Sequence, residues 1–92
     1  MESALLTTIE AEIRAEMQLA PSIPVDTIKQ YIREGEATLN SQVNSLEVDF
    51  DDDLISRALL KNYVRYAYYG QLDDFFVRYK GDLNASLIRN II

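Results

Sequence analysis

Cysteine, histidine and tryptophan are all missing from this 92-residue chain. Without cysteine there is no disulfide framework and no thiolate chemistry, and nothing points to an oxidising compartment. Without histidine the usual general base and the commonest metal ligand are gone, so an enzyme here would have to work with carboxylates, lysine, serine or tyrosine. Glycine is scarce, at three residues, and no glycine-rich phosphate loop can be built from it. No apolar run approaches the roughly 20 residues that cross a bilayer, and MESALLTTIEAEIRAEM lacks the basic flank and apolar block of a secretory signal. These absences predict a soluble intracellular product that is not an enzyme, carries no cofactor and does not enter a membrane.

What is abundant is acid and aromatic surface. The net charge is −6, and it is unevenly spread. Residues 1–53 hold 12 acidic and 3 basic side chains, a balance of −9, whereas residues 54–92 hold 3 acidic and 6 basic, a balance of +3. The halves are complementary, which would favour copies packed head to tail. Overall acidity argues against sequence-specific DNA binding, which leaves a concentrated basic footprint.

Periodicity predicts an all-α fold, a bundle of three to four helices at about 3–19, 24–45, 51–80 and 82–91. Leu5, Ile9, Ile13 and Met17 recur every four residues, with Glu10, Glu12, Arg14 and Glu16 on other sides, until Pro21 and Pro24 end the pattern. In the second segment Ile28, Ile32, Leu39 and Val43 share a stripe with Gly35. Pro24 suits a first helical turn and Asp26 suits the positive end of the dipole. A glycine costs about 1 kcal/mol in a helix interior, so Gly35 on the inner stripe predicts a second helix passing close by.

The stretch from Asp51 to Tyr79 carries five of the six tyrosines and two of the three phenylalanines. Two apolar faces run through it: Leu60, Val64, Ala67, Leu72, Phe75 and Tyr79 on one side, and Ile55, Leu59, Tyr63, Tyr66 and Gly70 on the other. A helix apolar on two sides needs two neighbours, and in so short a chain the second could be another copy. The helix is expected to continue past Gly70, bent or loosened there, with Gly81 as a C-terminal cap or joint. Asp49, Asp51 and Asp53 alternate like early calcium ligands, but Leu54 stands where the turning glycine is needed and Leu60 where the bidentate glutamate is needed. Asp49 or Asp51 is therefore expected to cap the long helix, with no metal bound. Arg57, Lys61 and Arg65 form a basic stripe that could face acidic patches on a neighbour, water or DNA phosphates, with the neighbour the favoured expectation. Tyr63, Tyr66, Tyr68 and Tyr69 suit core and interface packing, with stacking on single-stranded bases the weaker alternative.

A short first helix, the turn and helix IPVDTIKQYIREGEATLN, the acidic linker VDFDDDLI, the pattern LLKNYVRYAYYGQLDDFFVRY and an apolar tail follow one another in this chain. In this order they resemble the head-tail connector (adaptor, or head-completion) proteins of long-tailed double-stranded DNA bacteriophages, most of all at Asn62–Phe76. The resemblance implies a virion protein of the neck, assembled in the host cytoplasm. It implies a ring of about twelve copies bound beneath the portal, extending the DNA channel and receiving the next neck or tail component. Duplex DNA would pass through the acidic lumen without sequence-specific binding. By that analogy Arg57, Lys61, Arg65, Tyr63 and Tyr66 would contact adjacent protomers, and the segment with Leu83, Leu87, Ile88, Ile91 and Ile92 would reach the portal. The residues themselves leave open a small acidic helical regulator that binds one protein target.

Overall fold

A computed structural model describes residues 1–42 and 48–91, with side chains described through Ser41 and from Val48 to Ala85. Val43 falls outside them. Five helices follow in order: α1 (Ser3–Met17), α2 (Val25–Gln42), α3 (Leu54–Tyr68), α4 (Leu72–Arg78) and α5 (Lys80–Ile91), with no strand among the described residues. The all-α expectation is met, with one more helix than expected.

α3 is the axis of the bundle and touches each of the other four helices. Its most extensive partner is α2, and Gly35 sets the spacing of that pair. A Cβ on Gly35 would lie 2.7 Å from Leu60 Cδ1 and 2.8 Å from Tyr63 Cδ1. The missing side chain lets Leu60 and the Tyr63 ring lie directly on the α2 backbone. Ile28, Ile32 and Leu39 of α2 are buried with them, as are Leu6, Ile9 and Ile13 of α1. Both apolar faces of α3 are thus largely covered within one chain: Leu60, Val64 and Ala67 are buried, and so are Leu59 and Tyr63. Ile55 is the exception and is exposed.

The long helix expected over 51–80 is two helices. Gly70 adopts φ 69°, the left-handed region that ends helices. Its N–H donates to the Ala67 carbonyl (3.0 Å), and the Gln71 N–H donates to the Tyr66 carbonyl (2.7 Å). These two bonds are the paired closures of a Schellman motif, in which the last carbonyls of α3 find donors and the chain turns away. α4 then folds back so that Phe75 is fully buried, edge-on to Tyr63 with ring centroids 5.4 Å apart and 5.1 Å from Tyr79. Leu72, Phe75 and Tyr79 continue the helical phase of Leu60, Val64 and Ala67 beyond the break, so spacing alone cannot reveal it. Gly81 is not the cap: the joint between α4 and α5 falls at Tyr79, and Gly81 lies in the first turn of α5, exposed, with nothing within 4 Å of its Cβ position.

The linker before α3 does more than connect. Val48 and Phe50 are buried in the core, and the Val48 N–H donates to Asn40 Oδ1 at the end of α2 (2.8 Å). The N-cap of α3 is Asp53, whose carboxylate accepts from the Ser56 N–H (3.2 Å) and hydroxyl (2.8 Å). This corrects the expected capping by Asp49 or Asp51. Asp49 lies one turn earlier, accepting from the N–H groups of Asp51 and Asp52, and its carbonyl accepts from the Asp53 N–H. Asp51 is exposed. In the α1–α2 connection Arg14 pairs with the buried Glu10 and donates to the carbonyls of Ala20 and Ile23, which ties the proline turn to the end of α1.

The glycines therefore predict opposite responses. Gly35→Ala gains about 1 kcal/mol of helix propensity but forces a buried leucine and a tyrosine ring to shift, an overpacking cost of about 1–3 kcal/mol. Urea unfolding is expected to show a net loss for Gly35→Ala. Gly81→Ala meets no obstacle and is expected to gain up to about 1 kcal/mol.

Candidate assembly surface

Two of the three bases of the α3 stripe, Arg57 and Lys61, find acidic partners inside the same molecule. Arg57 forms a forked pair with Glu12 of α1, its Nε 3.1 Å from Oε1 and its Nη2 on Oε2. Lys61 Nζ lies 3.0 Å from Glu12 Oε1 and 2.7 Å from Glu16 Oε2. Glu12, Glu16, Arg57 and Lys61 thus form one network across the α1–α3 seam, with Asp51 at its edge, 3.7 Å from Arg57. The sequence expectation placed these acids on a neighbouring copy. The fold supplies them in cis because the i, i+4 spacing of Glu12 and Glu16 matches that of Arg57 and Lys61 on the facing helix.

The network shifts the ionisation of two members. The Glu12 carboxyl is lowered, chiefly by the hydrogen bond from Arg57 and against the opposing effect of burial, with Lys61 adding to the lowering. For Lys61, burial pulls its pKa down, but the hydrogen bonds to Glu16 and Glu12 and their charges outweigh that and leave it raised.

The tyrosines proposed for contact between copies are also engaged at home. Tyr63 is buried beneath Gly35 and against Phe75. Tyr66 is half-buried, its ring centroid 5.9 Å from that of Phe75 and 5.8 Å from that of Tyr79. Arg65 is different: it is exposed at the C-terminal end of α3 and has no carboxylate partner among the described residues. It lines a cavity of about 300 Å³ with Tyr66, Tyr69, Gln71, Arg78 and Tyr79, and the Arg78 guanidinium sits 5.9 Å from the centre of the Tyr79 ring. Arg78 and Gln71 were not singled out from sequence. Only the Schellman turn brings them beside Arg65, and nothing in their spacing announces that turn.

In the C-terminal segment Leu83 is buried in the core, which removes it from the surface expected to reach a portal. The side chains of Leu87, Ile88 and Ile91, and all of Ile92, lie outside the described residues. Large apolar side chains remain uncovered elsewhere: Leu54 and Ile55 at the start of α3 are 70% and 64% exposed, Tyr69 at its end is 61% exposed, and Val77 on the outer side of α4 is 81% exposed. Among the described residues no cluster of acidic side chains is arranged to hold a metal, and no helix is long and apolar enough to cross a membrane. Asp73 and Asp74 are exposed on the first turn of α4.

A lowered carboxylate contributes stability that is present above the ordinary glutamate value of about 4.3 and lost as pH falls through the lower folded value. A raised lysine contributes stability that is full below about 10.4 and lost as pH climbs through its raised value. Glu12→Gln is expected to cost about 0.5–1 kcal/mol at pH 7 in urea unfolding and to flatten both the acid and the alkaline limb.

No family model, no curated protein and no solved structure matches this chain.

Proposed function

We propose that this chain is a structural virion protein of the head-tail connector kind. On this reading copies form a ring beneath a phage portal, extend the DNA channel and offer a platform to the next neck component. Exposed apolar side chains at separated places carry the reading: Leu54 and Ile55 before the body of α3, Tyr69 beyond its end and Val77 on the outside of α4. A subunit in a ring meets two neighbours and a platform, and so needs contact surfaces on several sides. The helix order and the Asn62–Phe76 aromatic segment support it through the resemblance. Non-catalytic work is favoured because the polar network at the α1–α3 seam is consumed by structural pairing.

The rival reading is a regulator that binds one protein target as a monomer or dimer. The cis pairing of Glu12 and Glu16 with Arg57 and Lys61 favours it, because a chain that satisfies these charges alone needs no second copy for them. Valence separates the two. Purified protein mixed with portal rings, or with DNA-filled heads lacking connectors, and imaged by electron microscopy is expected to add a disk with cyclic symmetry at the portal's outer end. Portals left unchanged at saturating protein would contradict the connector reading.

A further inference from the structure

After the seam network is formed, charge and apolar surface remain at the two ends of α3 and are of opposite kind. At the N-terminal end the turn preceding the helix exposes Asp51 and Asp52, beside Leu54 and Ile55. Asp51 is 70% exposed and reaches Arg57 only at 3.7 Å, while Asp52 has no cation partner among the described residues. At the C-terminal end Arg65 and Arg78 flank the tyrosine-lined cavity, with the exposed Tyr69 beside them. The fifteen residues of α3 rise about 22 Å at 1.5 Å each, so one end cannot satisfy the other within a molecule.

We propose that the Arg65–Arg78 cavity receives the Asp51–Asp52 turn of a second copy of this chain. The contact joins the C-terminal end of one α3 to the N-terminal end of the next. Arginine presents a planar fork suited to carboxylates, and Gln71 and the tyrosine hydroxyls supply further polar groups around them. Leu54 and Ile55 of the incoming copy then meet Tyr69, giving the charged contact an apolar companion. All four other helices pack against α3, and its large exposed apolar side chains lie at its ends, Leu54 and Ile55 at the start and Tyr69 just past the finish, so the ends offer a partner more than the sides. A contact between two different surfaces is heterologous, and repetition closes it into a ring or extends it as a filament. Nucleic acid fits the cavity less well. Two arginines supply few of the six to ten phosphate contacts typical of strong binding, Asp73 and Asp74 lie on the same short helix as Arg78, and the chain as a whole is acidic.

The proposal deepens the ring reading and rests on it for closure of the ring, but the contact is testable without a portal. Because the chain has no cysteine, a protein carrying Asp52→Cys and Gln71→Cys reports the contact cleanly. Mild oxidation of that protein is expected to give a ladder of covalent oligomers beyond the dimer, while each single cysteine variant stops at the dimer. A double variant that remains monomeric, or that also stops at the dimer, overturns the head-to-tail contact. Charge exchange supplies the second arm. In sedimentation velocity at low salt, Arg65→Glu/Arg78→Glu and Asp51→Arg/Asp52→Arg are each expected to associate at least about tenfold more weakly than the unmodified chain, a change of about 1.4 kcal/mol. Mixing the two restores association, because each altered end meets its altered complement. Failure of the mixture to recover, with both variants folded by circular dichroism, overturns the proposal. Tight binding of a fluorescent oligonucleotide that is lost in Arg65→Glu/Arg78→Glu overturns it in favour of nucleic acid. A ladder without a portal disk would refute the connector reading and keep this contact, and a disk without the cross-link would do the reverse.

Discussion

The close approach of α2 and α3 at Gly35 is the constraint on which the rest of the molecule depends. Any side chain there would occupy the space of Leu60 and the Tyr63 ring. With hydrogen in its place, α3 lies against α2 closely enough for α1 to close over the adjoining side, and Glu12 and Glu16 then face Arg57 and Lys61. Tyr63, held under Gly35, presents its ring edge to Phe75, which is how α4 is docked once the chain has turned at Gly70. Seam, salt network and aromatic cluster are successive consequences of one missing Cβ. A chain of this size buries only about 60–65% of the surface its unfolded form exposes, so little redundancy stands behind that seam.

Charge is divided into two kinds by the same geometry. The pairs between α1 and α3 join residues 45 apart in sequence and fix how the first helix lies on the third. Such pairs are individually weak where water reaches them, but here two acids and two bases share one cluster, in which Glu12 is held by both Arg57 and Lys61 and Lys61 also holds Glu16. Among the described residues, Asp52 before α3 and Arg65 and Arg78 around its C-terminal end have no such partners. A connector reading and a regulator reading draw on these two populations differently: the paired charges describe a self-sufficient monomer, and the residual ones describe a subunit with something still to meet.

Much of the fold was legible in the sequence. The four-residue spacing of Leu5, Ile9 and Ile13 and the stripe of Ile28, Ile32 and Leu39 placed the first two helices, and Gly35 announced a close neighbour because a glycine on an apolar stripe has few other uses. The break at Gly70 was legible only as a bend or loosening, because Leu72, Phe75 and Tyr79 continue the helical phase of Leu60, Val64 and Ala67 past the turn. The buried roles of Val48 and Phe50 were masked by the aspartates between and around them, although an apolar residue at every second position is itself a signal of one-sided burial. Glu10 lies off the apolar stripe of α1 and is nonetheless buried, paired with Arg14 on the next turn. Asp53 was overlooked as the cap among adjacent aspartates, where only backbone geometry distinguishes the candidates. For the assembly surface, sequence correctly showed that the halves were complementary in charge but could not show that Arg57 and Lys61 would be satisfied in cis, because that requires knowing which helices face each other.

The measurement that bears most directly on the α2–α3 seam as the centre of stability is native-state hydrogen exchange resolved by residue. The account predicts that amides around Ile32–Leu39 of α2 and Leu60–Ala67 of α3 exchange only through global unfolding, sharing one free energy, while α4 and α5 open at lower cost. Slowest exchange in α1 or α5, with α2 and α3 opening independently of each other, would contradict it.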